Sequence, residues 1–519
     1  MRASMDRRRR AVAFTALAAS AALVLSACAS AVGREDEASG GNPQEGGTLS
    51  IVQGADIQPA TIMAQNNPNM SMIRLVFNTL ISLDHKTLEP QPELATAWEL
   101  SEDGLTLKFE LQEGVTFHDG KKFTSADVIG SLDTIRLPEV ASQLKHVANQ
   151  ITDVTADSDY EVTITFGQPM SNVFDLFEMM PIIDVDTVDD LFAGKQFNGT
   201  GPFVVDEFTP GQGMSLSAND EYWKTGLPYL DAVDITVVRD SQSMLSSLRS
   251  GQSQLALDLA PLDASTIADD PQFELVLSDA NDSTYYLGSN VNTPLLSDNR
   301  VRQAIAYSID RDRVLEQVFG GIGTTTSLPW AESSPAFDPD LVDHYTYDPE
   351  RARELLEEAG AVGSSIKVFY DAGFAPNVGL AEIVEFNLSE AGLEPDMQPL
   401  QAADFLDRLR SGGFDGLFMS GHGFGQLNPA TLVKGAFPYN ADKNASGFDN
   451  QEYKDLANEL WTSSSPQREV IDSLNQFLLE QQFVSDLINY THTYAISKDV
   501  KDLHWTMLDY IDLDEAYLG

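Results

Sequence analysis

The chain contains one cysteine, Cys28, so no disulfide bond within the chain can stabilise its fold. Cys28 follows a basic cluster at residues 7–10 and an almost wholly apolar or small run at residues 11–25. A basic start, a short apolar run and small residues are typical of a secretory signal. The run is too short to span a bilayer comfortably, so a permanent transmembrane helix is the weaker interpretation. We predict a signal peptide over residues 1–27 and an exported protein that folds without a disulfide.

The tetrapeptide at residues 25–28, Leu-Ser-Ala-Cys, resembles the lipobox of bacterial lipoproteins. That resemblance implies cleavage before Cys28 and a diacylglyceryl group on its sulfur. Two acyl chains would anchor the protein stably, where one would not. The alternative is a free cysteine in a cleaved signal. The arginine cluster leaves the export route open between the Sec and twin-arginine systems. Residues 29–47 are polar and rich in glycine, which predicts a flexible tether between the lipid and the folded chain.

The length, composition and charge of the chain limit its domain organisation and its possible partners. A chain of 519 residues is long for one hydrophobic core, so two or three packed subregions are expected. Its 42% hydrophobic and 21% charged residues are ordinary for a soluble globular protein, which excludes disorder along the whole length. The formal charge of −47 excludes nucleic acid as a partner, because phosphate binding needs a basic surface.

Apolar periodicity predicts both strands and helices. Residues 48–52 predict a short first strand, and residues 105–111 alternate between apolar and polar side chains. A turn at Glu113 and Gly114 would fold residues 115–117 into a hairpin with that second strand. Another alternating strand is expected over residues 162–166.

Two helices carry clear start signals. Asp348 and Pro349 supply an N-cap and a first-turn proline, an apolar stripe follows, and Gly360 ends the helix. Asp298 caps a second helix that continues through Ser308. Helices and strands alternate after residue 285, which indicates an α/β organisation.

Motifs for catalysis are not found. The sequence has no G-x-S-x-G, H-E-x-x-H or P-loop pattern, and the Gly-rich piece at residues 421–425 lacks dinucleotide-binding spacing. The seven histidines are scattered. We predict no cofactor, no metal site and no enzymatic activity.

Four segments, in order, resemble one family closely. They cover residues 80–128 (with Leu-Ile-Ser-Leu-Asp, Gly-Val-Thr-Phe-His-Asp-Gly and Phe-Thr-Ser-Ala-Asp-Val), 199–223 (with Gly-Thr-Gly-Pro-Phe and Asn-Asp-Glu-Tyr-Trp), 300–311 (Arg-Val-Arg-Gln-Ala-Ile-Ala-Tyr-Ser-Ile-Asp-Arg) and 347–356 (Tyr-Asp-Pro-Glu-Arg-Ala-Arg-Glu-Leu-Leu). Together they resemble extracellular solute-binding protein family 5, the peptide and nickel receptors of ABC importers (cluster C). Each segment also has an ordinary structural role, so the segments indicate the family and not the ligand.

The resemblance implies an α/β fold of the two-lobed periplasmic-binding-protein type (type II), with an extra subdomain inserted in lobe I. Lobe I would take residues 48–82, 199–285 and 493–519, the inserted subdomain residues 83–198, and lobe II residues 286–492. The two chain crossings are expected near residues 285–287 and 490–494. Ligand contacts from both lobes would then favour a closed state.

The resemblance also implies where a ligand binds. Peptide-binding relatives hold the peptide ammonium with an aspartate in a segment resembling W-x-A-D-Y-x-D-P. Here residues 420–429 keep the final Asn428-Pro429 of that pattern, but Gly425 or a near neighbour replaces the acid. This departure weakens the case for ordinary oligopeptide binding. The ligand-binding residues expected from this comparison are Asp56, Ile57, Asn290, His422, Phe424, Gln426 and Tyr439.

The function implied is that of a monomeric, membrane-anchored receptor that captures a peptide-like or other small polar solute and delivers it to ABC permease subunits. A nickel chelate or a sugar-like solute is an alternative ligand. A sensory lipoprotein that does not feed a transporter and an exported enzyme are alternative classes.

Overall fold

The computed structural model describes residues 43–65, 67–268, 270–277, 283–463, 467–490 and 492–519. The predicted signal peptide, Cys28 and most of the predicted tether lie outside the described residues. The strands, numbered in chain order, are β1 (Thr48–Gln53), β2 (Ile81–Leu83), β3 (Pro90–Pro92), β4 (Ala95–Leu100), β5 (Thr106–Leu111), β6 (Ile151–Ser158), β7 (Glu161–Phe166), β8 (Phe203–Thr209), β9 (Gly213–Ala218), β10 (Ala232–Val237), β11 (Leu255–Leu257), β12 (Phe273–Leu277), β13 (Ser283–Ser289), β14 (Thr324–Thr325), β15 (Ser365–Asp371), β16 (Glu394–Leu400), β17 (Leu417–His422), β18 (Val484–Tyr490), β19 (Thr493–Ser497), β20 (Val500–Lys501), β21 (His504–Trp505), β22 (Ile511–Asp512) and β23 (Tyr517–Leu518).

Helices lie between many of these strands. They are α1 (Ile73–Val76), α2 (Ser125–Arg136), α3 (Lys145–Ala148), α4 (Val173–Met179), α5 (Val188–Phe192), α6 (Ser241–Arg249), α7 (Pro261–Ala264), α8 (Asn299–Ser308), α9 (Arg311–Val318), α10 (Pro349–Ala359), α11 (Ala375–Ala391), α12 (Ala402–Ser411), α13 (Pro429–Gly435), α14 (Gln451–Thr462) and α15 (Arg468–Gln481). Short 3-10 turns occupy Pro59–Thr61, Asn67–Asn69 and Val185–Thr187.

A seven-stranded mixed sheet contains the first strand. Its order is β12-β19-β11-β1-β10-β9-β8, with β1 parallel to both β10 and β11. Leu49 and Ile51 are completely buried, as expected for a strand at the centre of a sheet. The predicted first strand is therefore confirmed, and the chain segments that build this sheet come from residues 48–53, 203–277 and 493–497.

A six-stranded mixed sheet is built from later residues. Its order is β14-β18-β13-β17-β15-β16, and β13 pairs with β17 on one side and β18 on the other. One face carries Leu287, Met419 and Leu487, which pack in a core with α8, α10 and α11. The opposite face carries Tyr286 and Phe418, which belong to a second core together with α13–α15.

The chain passes between the two large sheets at two places. β12 ends at Leu277 in the seven-stranded sheet, and β13 begins at Ser283 in the six-stranded sheet. The first passage therefore comes a few residues before 285–287, the position expected from the sequence. Tyr285 and Leu287 are buried inside β13. Large buried side chains of this kind favour a paired strand, so these residues lie in the sheet and not in the connecting segment. The second passage lies between Tyr490 of β18 and Thr493 of β19.

A separate four-stranded antiparallel sheet, β4-β5-β7-β6, lies within residues 95–166. The alternation predicted over residues 105–111 is confirmed in β5, where Leu107, Phe109 and Leu111 are buried. The predicted hairpin is wrong in its partner. Residues 115–117 turn back on residues 121–123, with a bridge between Thr116 and Lys122, because β5 is already paired with β4 and β7 on its two edges.

The two predicted helix starts are confirmed. The Asp348 carboxylate accepts the Arg351 backbone N–H at the start of α10, and Gly360 ends that helix in the left-handed conformation at φ 67°. Asp298 likewise accepts the backbone N–H of Arg300 and begins α8. The described part of the chain contains no helix with the length and apolar character that a membrane crossing requires.

Candidate functional site

The segment predicted to bind ligand connects β17 to α13. His422 is the last residue of β17, and its backbone is opposite Thr284 of β13. Residues 423–428 form the connecting loop, which we call the β17–α13 loop. Asn428 ends the loop because its side-chain oxygen accepts the Ala430 backbone N–H at 3.0 Å and caps α13. The sheet and the helix therefore fix the two ends of the loop.

His422 lies in a buried polar cluster. Its ring lies 5.7 Å from the Tyr286 ring and 5.3 Å from the Tyr439 ring. Its Nδ1 lies 2.8 Å from the Gly423 carbonyl oxygen. A carbonyl only accepts hydrogen bonds, so Nδ1 carries the proton. Nε2 lies 3.9 Å from Oδ1 of Asp486, and neither of these two buried atoms has a hydrogen-bond partner among the described residues.

Asp486 is the acidic residue of this cluster, and it is not among the residues predicted from the sequence. Its Oδ2 accepts the Tyr439 hydroxyl at 2.5 Å, and its side chain is only 2% exposed. Arg311 donates from Nε to the Asp486 backbone carbonyl at 3.0 Å. Burial lowers the pKa of Arg311 to about 10, against the opposing charge of Asp486. Asp486 is the charged residue of β18, a strand in which every residue is buried, and this acid is the sequence signal that indicates the cluster.

Gly425 lies in the part of the loop where the sequence comparison expects the family's anchoring acid. A Cβ atom at this position would lie 2.2 Å from the Pro329 carbonyl oxygen, and the Gly425 carbonyl accepts the Ala331 N–H at 3.1 Å. The backbone at residues 329–331 occupies the space that an aspartate side chain would need. Glycine is therefore required here by close backbone approach.

The other two predicted residues of the loop are also buried. Gln426 is fully buried and donates from Nε2 to the Met507 carbonyl at 2.9 Å, which joins the β17–α13 loop to the C-terminal segment. Phe424 is 2% exposed and has φ 80°, an uncommon value for a phenylalanine. The structure therefore groups His422 and Tyr439, and it places Phe424 and Gln426 on the adjoining loop.

The three remaining predicted residues lie in other contacts. Asp56 accepts the Gly211 backbone N–H at 2.8 Å, which ties the end of β1 to the β8–β9 turn. Ile57 is buried in the core. Asn290 donates to the Phe414 carbonyl and accepts the Asn292 N–H at 3.0 Å. Within the described residues, none of the three makes a hydrogen bond to the His422 cluster.

The described part of the chain contains no group of three or more His, Cys, Asp or Glu side chains that could hold a metal ion.

Known proteins resemble this chain over most of its length. The model of the bacterial extracellular solute-binding proteins, family 5 (middle region), matches residues 89–444. The chain belongs to this family. It is therefore a mixed α/β solute-binding receptor of the ABC-importer class, and members of the family are extracytoplasmic.

Individual relatives differ in what their names say they bind. The chain is 26% identical to the heme-binding protein A of Haemophilus influenzae, covering 77% of this chain and 78% of that protein. It is 25% identical to the oligopeptide-binding protein AppA of Bacillus subtilis, covering 79% and 80%. The solved structure of Bacillus subtilis AppA with a nonapeptide has a TM-score of 0.77 at 21% identity, covering 92% of this chain and all of that one.

Proposed function

We propose that this chain captures a peptide-like or other small polar solute by closing two lobes and delivers it to the permease of an ABC importer. Lobe I would be built on the seven-stranded sheet and lobe II on the six-stranded sheet, with the β4–β7 sheet inside a subdomain of lobe I. The observation that supports this most directly is the hydrogen bond from Gln426 to Met507, because it joins a loop of the second sheet to a segment that follows the first. The oligopeptide-binding relative favours a peptide-like solute.

His422, Phe424, Gln426 and Tyr439 are the proposed ligand contacts from lobe II. Asp486 is added to them because its unpartnered Oδ1 faces His422. Asp56, Ile57 and Asn290 remain proposed contacts. Binding through them requires that the loops holding Asp56 and Asn290 exchange internal hydrogen bonds for ligand contacts.

The first experiment identifies what the receptor carries. Native mass spectrometry of the purified mature protein is expected to show a retained small solute. A pool of tripeptides should then raise the melting temperature and reduce the radius of gyration, because a ligand shifts the equilibrium by its differential affinity for the closed state. His422→Ala should weaken this response, whereas His344→Ala, at an exposed position, should leave it intact.

Other probes separate the alternatives. A response to a nickel–histidine chelate or to a monosaccharide panel, with none to tripeptides, would favour the other ligand classes. Turnover of an ester or peptide panel would contradict the proposal that the chain is not an enzyme. Failure of every solute to change the size or the melting temperature would contradict transport itself.

Anchoring and assembly are proposed from the sequence. The mature chain is a monomer held at the membrane by a diacylglyceryl group on Cys28. Mass spectrometry of the N-terminal peptide should show the added lipid, and Cys28→Ala should release the protein from the membrane fraction. Crosslinking to permease subunits should succeed if the receptor serves an importer and fail if it is a sensory lipoprotein.

A further inference from the structure

A set of buried polar contacts joins the start of α4 to α13 and α14. We call it the α4–α13 interface, formed by Ser171, Asn172 and Asp175 on one side and by Asn428, Thr431, Leu460 and Trp461 on the other. The Ser171 N–H donates to the Trp461 carbonyl at 2.8 Å, and its hydroxyl donates to the Leu460 carbonyl at 2.8 Å. Asn428 returns a hydrogen bond from Nδ2 to the Ser171 carbonyl at 2.9 Å.

Asn172 lies at the centre of the interface. Its Nδ2 donates to the Thr431 hydroxyl at 2.8 Å and to His146 Nε2 at 3.0 Å, and its Oδ1 accepts the Trp461 indole N–H at 3.1 Å. His146 Nδ1 contacts the Gln143 carbonyl at 2.9 Å, which leaves Nε2 as an acceptor. Burial lowers the pKa of His146 to about 4, with a smaller contribution from Lys434. The ring is therefore neutral at physiological pH.

Asp175 completes the interface with an acid that is only 4% exposed. The Thr431 hydroxyl donates to its Oδ2, and the Asn428 backbone N–H also bonds to it. Burial raises the pKa of Asp175 to about 7. The nearest charged side chain of α13 is Lys434, which is directed at the Trp461 ring at 4.9 Å and pairs with Asp442 at 3.3 Å.

The two sides of this interface are attached to different sheets. On α4, Glu178 pairs with Arg74 of α1 at 3.3 Å, and α1 packs against β8 of the seven-stranded sheet. On the other side, α13 packs on α14, α14 on α15, and α15 on α8, which belongs to the core of the six-stranded sheet. Asn428 also ends the β17–α13 loop, so the interface fixes one end of the proposed ligand-binding segment.

We propose that the α4–α13 interface is a closure contact, in which Ser171, Asn172 and Asp175 hold the β17–α13 loop in place only when the lobes are closed. This inference rests on the proposed two-lobe function. These residues are positioning residues: they set the population of the closed state, and with it the apparent affinity, without touching the ligand.

A pH dependence follows from the burial of Asp175. In the open state its carboxyl faces water and has an ordinary pKa near 3.8, whereas closure raises that pKa to about 7. Closure therefore takes up a proton between these two pH values, and the closed state is favoured at low pH and disfavoured at high pH. His146 is neutral in the closed interface throughout most of this range, and Lys434 remains paired with Asp442.

The test measures closure without any ligand. The radius of gyration of the mature protein, from small-angle scattering, should be smaller at pH 5 than at pH 8. Asp175→Asn should abolish this dependence, because the amide is neutral at both pH values and its oxygen still accepts the Thr431 hydroxyl. Asp133→Asn, at a side chain that is 68% exposed, is the matched control and should behave as wild type.

A second pair of variants tests the hydrogen bonds themselves. Thr431→Val keeps the shape of the side chain, removes the hydroxyl shared by Asn172 and Asp175, and should give a larger radius at both pH values. Thr462→Val, at an exposed position on α14, is its control. Circular dichroism confirms that each variant is folded.

Two results would overturn the inference: a wild-type radius that is independent of pH, or a Thr431→Val protein as compact as wild type. Binding of the tripeptide pool is measured in parallel. Pool binding with an unchanged radius in Thr431→Val would sink this inference alone, whereas a wild type that closes with pH and binds no solute would sink the proposed function alone.

Discussion

Helix α4 makes two buried acidic contacts, and they are of different kinds. Toward the seven-stranded sheet, Glu178 meets the guanidinium of Arg74 at 3.3 Å and accepts the Leu83 backbone N–H at 3.0 Å. Toward the six-stranded sheet, one helical turn earlier, Asp175 meets the Thr431 hydroxyl and the Asn428 N–H. One acid therefore has a permanent cation as its partner, and the other has only neutral donors.

This difference decides which contact can separate reversibly. Breaking a buried ion pair leaves a charge without compensation and costs about 3–5 kcal/mol. A neutral hydrogen bond contributes roughly 1 kcal/mol net, because water replaces the partner when the groups are exposed. Helix α4 is thus fixed on the Arg74 side, and the Asp175 side is the one suited to opening.

The largest effect is expected from Arg74→Met. It leaves Glu178 buried without its cation and should lower the free energy of unfolding by about 3–5 kcal/mol. Urea denaturation at pH 8 measures the loss. Arg136→Met, which removes a partly exposed arginine 3.6 Å from the exposed Asp133, is the control and should cost less than about 1 kcal/mol. Equal losses in the two variants would mean that the Arg74 side is not the fixed one.

An effect of similar size and opposite sign is expected from Asp175→Asn. The pKa of this carboxyl is raised to about 7 in the folded protein, so the wild type loses stability as the pH rises from the ordinary value of 3.8 through 7. The asparagine variant avoids that loss and should be more stable than wild type by roughly 4 kcal/mol at pH 8, because each pKa unit corresponds to about 1.4 kcal/mol. At pH 4 the two proteins should be nearly equal. Thermal and urea unfolding across pH 4–8 measure the difference, and a wild type that gains stability with rising pH would contradict the assignment.

The Gly425→Ala variant tests how rigid the β17–α13 loop is where it meets the α4–α13 interface. Gly425→Ala places a methyl group against the Pro329 carbonyl, and overpacking of this kind costs roughly 1–3 kcal/mol. Gly421→Ala is the matched control in the same segment, because the nearest atom to its Cβ would be 3.7 Å away. Its cost should be under about 0.5 kcal/mol. A loop that absorbs both alanines equally would be too soft to transmit the interface to the proposed ligand contacts.

The local features of the fold could be predicted from the sequence. The alternation in β5 and the caps of α8 and α10 depend on neighbouring residues, so their positions could be predicted. The family segments likewise predicted the α/β receptor fold. The first passage between the sheets was placed too late, because a run of strand-forming residues does not reveal where its hydrogen-bond partners lie.

The long-range contacts could not be predicted. Asp486 was missed because its role depends on Tyr439, which is 47 residues away in sequence. The close approach of Gly425 to the carbonyl of Pro329 likewise joins residues that are nearly a hundred positions apart in sequence. Such approaches are set by packing, and a single sequence carries no periodic signal of them.

The smallest effect is expected from Ser171→Ala, on the Asp175 side of α4. The variant removes one hydroxyl, which donates to the Leu460 carbonyl, and should cost about 0.5–1 kcal/mol by urea denaturation. Two other hydrogen bonds of Ser171 use its main-chain N–H and carbonyl and survive the change. Ser473→Ala, on the exposed face of α15, is the control for loss of a serine hydroxyl and removes only a bond within its own helix. If Ser171→Ala instead costs as much as Arg74→Met, both sides of α4 are equally fixed, because no reversible contact would lose that much with one hydroxyl.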